Sequence, residues 1–186
     1  MSLHAEATTL LTGWVAPTPA QEQDRRDYLD HLAVHPGGAW RSCFPAHLTA
    51  GALVVSHDGR HVLLNLHRKA QRWFHFGGHL EPDDPTLVAA ALREAREESG
   101  LTGLQVDPEP LHLSRHEVAF CDPRGPVQHL DVRFLARADA RAVPRVSDES
   151  LDVRWFAVDA LPTQDADMVE MVALAQERAR RTPATS

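Results

Sequence analysis

Apolar residues recur at helical spacing in the first part of the chain, and this pattern predicts two helices. Residues 5–14 are expected to form a short helix that ends near Gly13. A second, longer helix follows, in which Thr18 is the expected N-cap and Pro19 suits the first helical position. Gln21 completes a capping-box pattern with Thr18, and the Pro-Gly-Gly that follows His35 ends the helix.

From Ala46 onward the pattern changes to short runs rich in β-branched and alternating apolar residues. Two such runs surround residues 57–60, whose Asp-Gly pair is typical of a β-hairpin. Further strands are expected in RWFHFGG, LQVDPEPLHLSRHEVAFC, VQHLDVRFLARA and LDVRWFAV, and residues 163–181 return to helical spacing. These elements predict a mixed α+β fold with one central helix between two groups of strands.

The central helix is expected from Pro85 to Ser99. Asp84 is its predicted N-cap, Pro85 suits the first helical position, and Gly100 ends it. Apolar residues such as Leu92 supply the stripe that faces the core. The helix is therefore amphipathic, and its polar face carries an unusual number of acids.

Three of these acids, Glu94, Glu97 and Glu98, lie close together on the helix surface. At about 100° per residue they span roughly a third of the circumference. The preceding strand delivers Gly77 and Gly78, where backbone can approach a ligand without obstruction from side chains. Three carboxylates beside exposed carbonyls indicate a site for a hard cation such as Mg²⁺ or Mn²⁺; a solvated acidic face is the alternative.

Residues 77–101 resemble the signature of the Nudix hydrolases. That signature reads Gly, five residues, Glu, seven residues, then Arg-Glu-apolar-any-Glu-Glu-any-Gly-apolar. The second half is matched throughout from Arg93 to Leu101, but five residues after Gly78 lead to Asp84, and eight residues then precede Arg93. The loop is therefore one residue longer, and Asp83 or Asp84 takes the place of the family's Glu, which pairs with the box arginine.

The resemblance implies an α/β/α sandwich around a mixed central sheet, of the kind seen in MutT-like proteins. We expect the Nudix hydrolase domain to comprise residues 46–186, with its box at 77–101. Residues 1–45 form an N-terminal helical extension packed on that domain. The resemblance assigns the extension no function; we expect it to cover the cleft or to join two subunits of a homodimer, and a decoration without either role is the alternative.

The function implied is that of a divalent-metal-dependent enzyme. It would hydrolyse a diphosphate linkage in a nucleotide or nucleoside diphosphate derivative by attack of water on phosphorus. Matching positions make Glu94, Glu97 and Glu98 ligands of Mg²⁺ or Mn²⁺, with the Gly77 carbonyl as a further ligand. Arg93 orients the cluster by ion pairing. The general base is either Glu149, in a later loop, or Glu98 itself.

Substrate contacts are expected from residues around the box. Gly78 allows close approach, and His79 is a candidate hydrogen-bond partner of a phosphate, although the chain has 12 histidines and chance proximity is the alternative. Trp73 either stacks on a base or fills the core, and Arg68 either contacts phosphate or lies in a solvated turn. Later strands add His116 and His129 as further candidates facing the cleft.

The formal net charge of −7 and the isoelectric point near 5.9 argue against a nucleic-acid partner or an anionic membrane surface. No segment reaches the length of a membrane span. Cys43 and Cys121 are far apart and match neither a zinc-site spacing nor a redox pair, so they are interpreted as free thiols in a reducing compartment. The expected location is the cytoplasm.

Two other functions fit parts of the sequence. A non-catalytic Nudix-fold module would bind a nucleotide or metabolite without turnover, and the altered loop is the feature that suggests it. Isopentenyl-diphosphate isomerase shares the fold but needs a catalytic cysteine, and Cys43 lacks the pattern that surrounds it in that family.

Overall fold

The computed structural model describes residues 1–148 and 150–181. Its helices and strands follow the expected order, with helices at both ends and one between two groups of strands. The elements are α1 Leu3–Gly13, α2 Pro19–Val34, β1 Ala46–Val55, β2 His61–His67, β3 Arg72–Phe74, β4 Phe76–His79, α3 Leu87–Ser99, β5 Gln105–Asp122, β6 Gly125–Arg137, β7 Ser150–Ala157 and α4 Ala166–Arg181. Among the helices of these residues, none has both the length and the apolar character required to cross a membrane.

Strand β1 is the centre of a mixed sheet. It runs parallel to β6 along its whole length, and β5 extends the sheet beyond β6 as an antiparallel neighbour. The other edge of β1 is shared by β4, which pairs with Thr49–Ala52, and by β2, which pairs with Val54 and Val55. Strands β3 and β7 both pair with β2. The Gly-Gly segment of β4 is therefore hydrogen-bonded into the middle of the sheet.

Alternation along β1 separates two layers of packing. Leu48, Ala50 and other even-numbered residues face a core shared with α1, α2 and α3. Leu53 and Val55 face the opposite core, which is completed by Met171 and its neighbours on α4. Helices thus cover both faces of a mixed sheet, and the expected α+β sandwich with an N-terminal helical extension is confirmed.

The N-terminal helices pack against the sandwich through apolar and polar contacts. Leu11 and Tyr28 are fully buried in the core shared with α3, and the Tyr28 hydroxyl donates to the Ser114 carbonyl at 2.7 Å. Thr18 caps α2 as expected, but Gln21 does not complete a capping box. Its side-chain amide instead donates to the Leu113 carbonyl at 2.9 Å and accepts from the Leu113 amide at 2.6 Å, which fixes α2 on β5.

The central helix begins later than the sequence predicts. Thr86 is the N-cap, its hydroxyl accepting from the Ala89 amide, and the helix begins at Leu87 instead of Pro85. The Leu87 amide donates to the Glu6 carboxylate of α1 at 3.0 Å, so the extension contributes to this helix terminus. Asp84 is not a cap, because its carboxylate is committed to Arg93. The predicted end at Gly100 is found, with φ of 70°.

Candidate active site

Arg93 is the centre of the hydrogen bonding around the box helix. Its Nε and Nη2 donate to the two oxygens of Asp84 at 3.1 and 2.9 Å, a bidentate pairing. Nη1 donates to Glu94 at 2.8 Å, and Nη2 also donates to the His79 carbonyl at 3.0 Å. The hydrogen bond from Asp84 raises the pKa of Arg93, already high for an ordinary arginine, well above its usual value. Of the two acids considered from the sequence, it is Asp84 that pairs with the box arginine, and Asp83 is exposed.

Glu98 is the buried member of the acidic face, with only 7% of the residue exposed. One of its carboxylate oxygens accepts from the Gly77 amide at 3.2 Å and from the Asn65 side-chain amide at 3.3 Å. Asn65 was not among the residues expected from the sequence, because it lies on β2, far from the box. The contact that joins Gly77 to the acidic face is thus made by its N–H.

Glu94 and Glu97 differ in exposure although they lie on the same helix face. The Glu94 carboxylate sits directly against Gly78, where an added Cβ would lie only 2.7 Å from a Glu94 oxygen. Glu97 is 62% exposed at its side chain and accepts a long 3.4 Å contact from Arg93. The structure therefore brings Arg93, the three glutamates and the two glycines together at one end of α3.

The imidazole of His79 points toward a different group of side chains. Its Nε2 lies 3.3 Å from the sulfur of Cys121, and Nε2 of His129 lies at the same distance from that sulfur. His47 approaches the same sulfur at 4.0 Å. Burial lowers the pKa of His79 to about 4 and that of His129 to about 3, so both rings are neutral at physiological pH. Cys121 is a free thiol as expected, but it is surrounded by imidazoles.

The remaining predicted substrate contacts lie elsewhere. Trp73 packs edge-on against Phe156, with ring centroids 4.7 Å apart, and belongs to the core on the α4 side of the sheet. Arg68 donates to the backbone carbonyls of Asp148 at 3.1 Å and Ser150 at 3.2 Å. These carbonyls flank Glu149, which itself lies outside the described residues. Arg68 thus secures the start of β7.

A buried polar network lies on the same sheet face as His79. Asp131 accepts from Arg133 at 2.8 Å, from Thr49 at 3.0 Å and from His75 at 3.1 Å. Burial alone would raise the pKa of Asp131, but Arg133 and His75 outweigh it and hold this pKa well below its usual value. The alternation of His129, Asp131 and Arg133 along β6 is the sequence signal that could have identified this polar face.

Comparison with solved structures finds several Nudix hydrolases, MutT proteins and Ap4A hydrolases of similar fold. The MutT Nudix hydrolase from Burkholderia pseudomallei is 27% identical, with a TM-score of 0.51 over 68% of this chain and 95% of that one. RenU, a Nudix hydrolase from M. smegmatis, is 23% identical, with a TM-score of 0.54 over 77% and 92%. A C. elegans Ap4A hydrolase in a binary complex is 20% identical, with a TM-score of 0.54 over 72% and 96%.

A comparison with curated proteins gives no match. The family model described as the NUDIX domain matches residues 45–175, which is more than half of the chain. Enzymes of this family cleave nucleoside diphosphate derivatives and generally use divalent metals. The matched range contains the box arginine, its three glutamates and the sheet that supports them, and the chain belongs to the Nudix hydrolase family.

Proposed function

We propose that this protein is a divalent-metal-dependent hydrolase that cleaves the diphosphate linkage of a nucleotide or nucleoside diphosphate derivative. Water attacks phosphorus in this reaction, and the carboxylates of Glu94, Glu97 and Glu98 hold the metal. The observation that carries the proposal is that Arg93 contacts Glu94 and Glu97, while Glu94 and Glu98 lie against the Gly77–Gly78 segment of β4. A purely solvated acidic face would not require Glu98 to be buried.

The chemistry of the donors fits Mg²⁺ or Mn²⁺. All of the side-chain donors are carboxylate oxygens, which these hard ions prefer. The one guanidinium of the box arginine contacts two of these carboxylates, Glu94 and Glu97, and so neutralises only part of their charge. Because Gly78 has no side chain, the Glu94 carboxylate occupies space that a Cβ at position 78 would otherwise fill. Residues Glu94, Glu97 and Glu98 would hold the ion, and the Gly77 carbonyl is the proposed backbone ligand. A bound divalent ion supplies neutralisation of the charge that develops on the diphosphate oxygens.

The chain's own residues orient these ligands. Arg93 donates to Asp84 and to the His79 carbonyl, and it also donates to Glu94, so it joins the loop to the helix. Asn65 and the Gly77 amide fix the orientation of Glu98. Such preorganisation matters because catalytic groups must be held close to their productive geometry. We assign proton abstraction from the attacking water to Glu98 or Glu149.

The test is a panel of nucleotides and nucleoside diphosphate derivatives incubated with Mg²⁺. We expect release of nucleoside monophosphate or phosphate from at least one compound, and no release when the metal is chelated. Glu149→Gln, assayed on that compound across pH, separates the two candidate bases, because it loses the acidic limb of the profile only if Glu149 is the base. Tight binding without release of product would instead support the non-catalytic binding module and contradict the proposal.

A further inference from the structure

Four side chains that the box does not use meet on one face of the sheet. They come from four different strands, namely β1, β4, β5 and β6, and we refer to them as the histidine–cysteine cluster: His47, His79, Cys121 and His129. Each offers one nitrogen or sulfur atom, and these atoms all lie within 4.8 Å of one another.

The strand register explains why these residues meet. His47 on β1 lies directly opposite His129 on β6, and Thr49, two residues further along β1, lies opposite His79 on β4. Residues two apart on a strand share a face, so the three imidazoles project to the same side of the sheet. Cys121 is contributed from near the end of β5, where the pairing with β6 is irregular.

The distances from the sulfur of the cluster to its three nitrogens are close to those of a tetrahedral metal site. Zinc–sulfur and zinc–nitrogen bonds of about 2.3 and 2.0–2.1 Å place sulfur and nitrogen ligands about 3.6 Å apart at tetrahedral angles. The sulfur of Cys121 lies 3.3 Å from His79, 3.3 Å from His129 and 4.0 Å from His47. These sulfur–nitrogen distances differ from the tetrahedral value by a few tenths of an ångström, and all four donor atoms lie within 4.8 Å of one another.

The tautomer of His47 is fixed in the orientation that a ligand needs. Its Nδ1 lies 3.1 Å from the Cys43 carbonyl, and because a carbonyl can only accept, the proton is on Nδ1. The lone pair is then on Nε2, the atom that faces Cys121. Metal-binding histidines in proteins usually donate their second ring nitrogen to an acceptor of this kind.

The cluster is partly shielded from solvent, since His79 and His129 are half-buried and the other two members are buried. His47 is fully buried and Cys121 is only 8% exposed. Three imidazoles and one thiolate are donors that suit zinc and related transition metals and are poorly suited to Mg²⁺. The nearby box glutamates offer only oxygen, so the two groups of ligands differ in the class of metal that they select.

We propose that the histidine–cysteine cluster is a structural zinc site, distinct from the carboxylate site on α3. All four coordination positions are supplied by the protein, which is the arrangement of structural rather than catalytic zinc. The ion would join four strands and fix the end of β4, where the His79 carbonyl accepts from Arg93. His79 therefore binds metal through its ring, instead of contacting a phosphate as the sequence suggested.

Cobalt provides the most direct test, because Co²⁺ replaces Zn²⁺ and reports its ligands in its absorption spectrum. The chelator-treated, reduced full-length protein is titrated with Co²⁺ in excess Mg²⁺, which occupies the carboxylate site. We expect saturation at one equivalent, with the visible bands of tetrahedral cobalt and a near-ultraviolet thiolate-to-cobalt band. A titration without these bands would overturn the proposal.

The two cysteines of the chain provide a matched pair of variants. Cys121→Ser should lose the thiolate band and lower Zn²⁺ affinity by at least about 100-fold, since even the loss of a residue that only supports a ligand costs about 10- to 100-fold. Cys43→Ser removes a thiol but keeps the backbone carbonyl that accepts from His47, and it should retain both. Loss of the band in Cys43→Ser, or its persistence in Cys121→Ser, would contradict the assignment.

Two further variants test whether the result depends on the folding of Cys121→Ser and whether the ion binds at the cluster or at the carboxylate site. If Cys121→Ser does not fold, His129→Gln provides a second test, and it should keep the thiolate band while losing the tetrahedral pattern or the affinity. Glu97→Gln, which alters an exposed ligand of the other proposed site, should leave the cobalt spectrum unchanged. A spectrum abolished by Glu97→Gln would show that the ion lies at the carboxylate site and would overturn the proposal.

Discussion

The acidic end of α3 and the histidine–cysteine cluster are two concentrations of ligating side chains, and they are built in opposite ways. The first comes almost entirely from one helix and the turn before it, so its members are close in sequence. The second takes one residue from each of four strands that are distant along the chain. The first offers carboxylate oxygens, and the second offers nitrogen and sulfur.

This difference separates two kinds of inference. When all residues of a site lie on one helix, their spacing in the sequence is enough to show that they share a face of that helix. A site across a sheet depends on register and on which strands are neighbours, and neither is written in a local pattern. Perturbing each region in turn tests whether they are independent, as their chemistry suggests.

The largest effect is expected for Glu97→Gln. Loss of one ligand of the catalytic metal should cost about 3 kcal/mol of transition-state stabilisation, which is roughly 100-fold in turnover. Because Glu97 is mostly exposed, the free energy of unfolding should be unchanged. Steady-state hydrolysis with Mg²⁺ measures the effect, and Glu177→Gln on α4 is the matched control. Equal activity of the two variants would remove Glu97 from the site.

A smaller effect, on stability, is expected for Asp84→Asn. The substitution breaks the bidentate pairing with Arg93 in a buried position, and hydrogen bonds to charged groups contribute about 2 kcal/mol. Urea unfolding should therefore show a loss of about that size, together with reduced turnover. Asp83→Asn, at the exposed neighbouring residue, should change the unfolding free energy by less than about 0.5 kcal/mol. Similar losses in both variants would contradict the assigned pairing.

Stability should decrease in acid because of His112, which lies on the sheet face that carries the cluster. Burial and the nearby Arg133 lower the pKa of His112 to about 3, whereas an unfolded histidine titrates near 6.5. Between these values the unfolded chain binds a proton that the folded chain rejects. The stabilising contribution of neutral His112 is therefore fully present above about pH 6.5. As the pH falls from there toward about 3, the free energy of unfolding decreases by at most about 1.4 kcal/mol per pH unit.

Urea unfolding as a function of pH measures this loss. The groups facing the His112 ring include Arg133, Asp167 and Glu170, and the two acids do not prevent the lowered pKa. His112→Gln should flatten the acid limb relative to the wild type, whereas His57→Gln, in an exposed turn, should leave it unchanged. A variant His112→Gln with the same acid limb as the wild type would refute the prediction.

The smallest effect concerns the contact between the N-terminal extension and the box helix. Glu6→Ala leaves the Leu87 amide without its carboxylate acceptor and should cost about 1 kcal/mol in the free energy of unfolding. Glu6→Gln keeps an oxygen at that position and should cost less. The difference between the two variants, measured by urea unfolding, isolates the hydrogen bond. Equal costs would mean that the contact contributes nothing specific.

Much of the fold could be predicted, because the strands are runs of β-favouring residues separated by turn residues and α3 has a clear apolar stripe. The start of α3 could not, because Asp84, Pro85 and Thr86 all suit a helix terminus and tertiary pairing with Arg93 decided among them. Gln21 shows the same competition, since its contact with β5 replaced a local cap. In each case a tertiary contact outweighed a local preference.

The residues of the candidate site also divide into those that a local pattern predicts and those that depend on tertiary contacts. The grouping of Arg93 with the glutamates and the glycines follows from helical periodicity and the preceding strand. Asn65 and the surroundings of Cys121 could not be found, because β2 and β5 meet these positions only after the sheet forms. The cysteine spacing in the sequence argued against a metal site. Spacing along the chain is informative only for sites built within one local segment.

Binding of Mn²⁺, measured by calorimetry with the cluster already loaded with Zn²⁺, tests the central claim most directly. That claim is that the carboxylates of α3 hold a divalent ion for attack on a diphosphate. The account predicts Mn²⁺ binding to the wild type that is strengthened by a diphosphate ligand and strongly weakened in Glu97→Gln and Glu98→Gln. Equal Mn²⁺ binding in all three proteins, or none in the wild type, would contradict it.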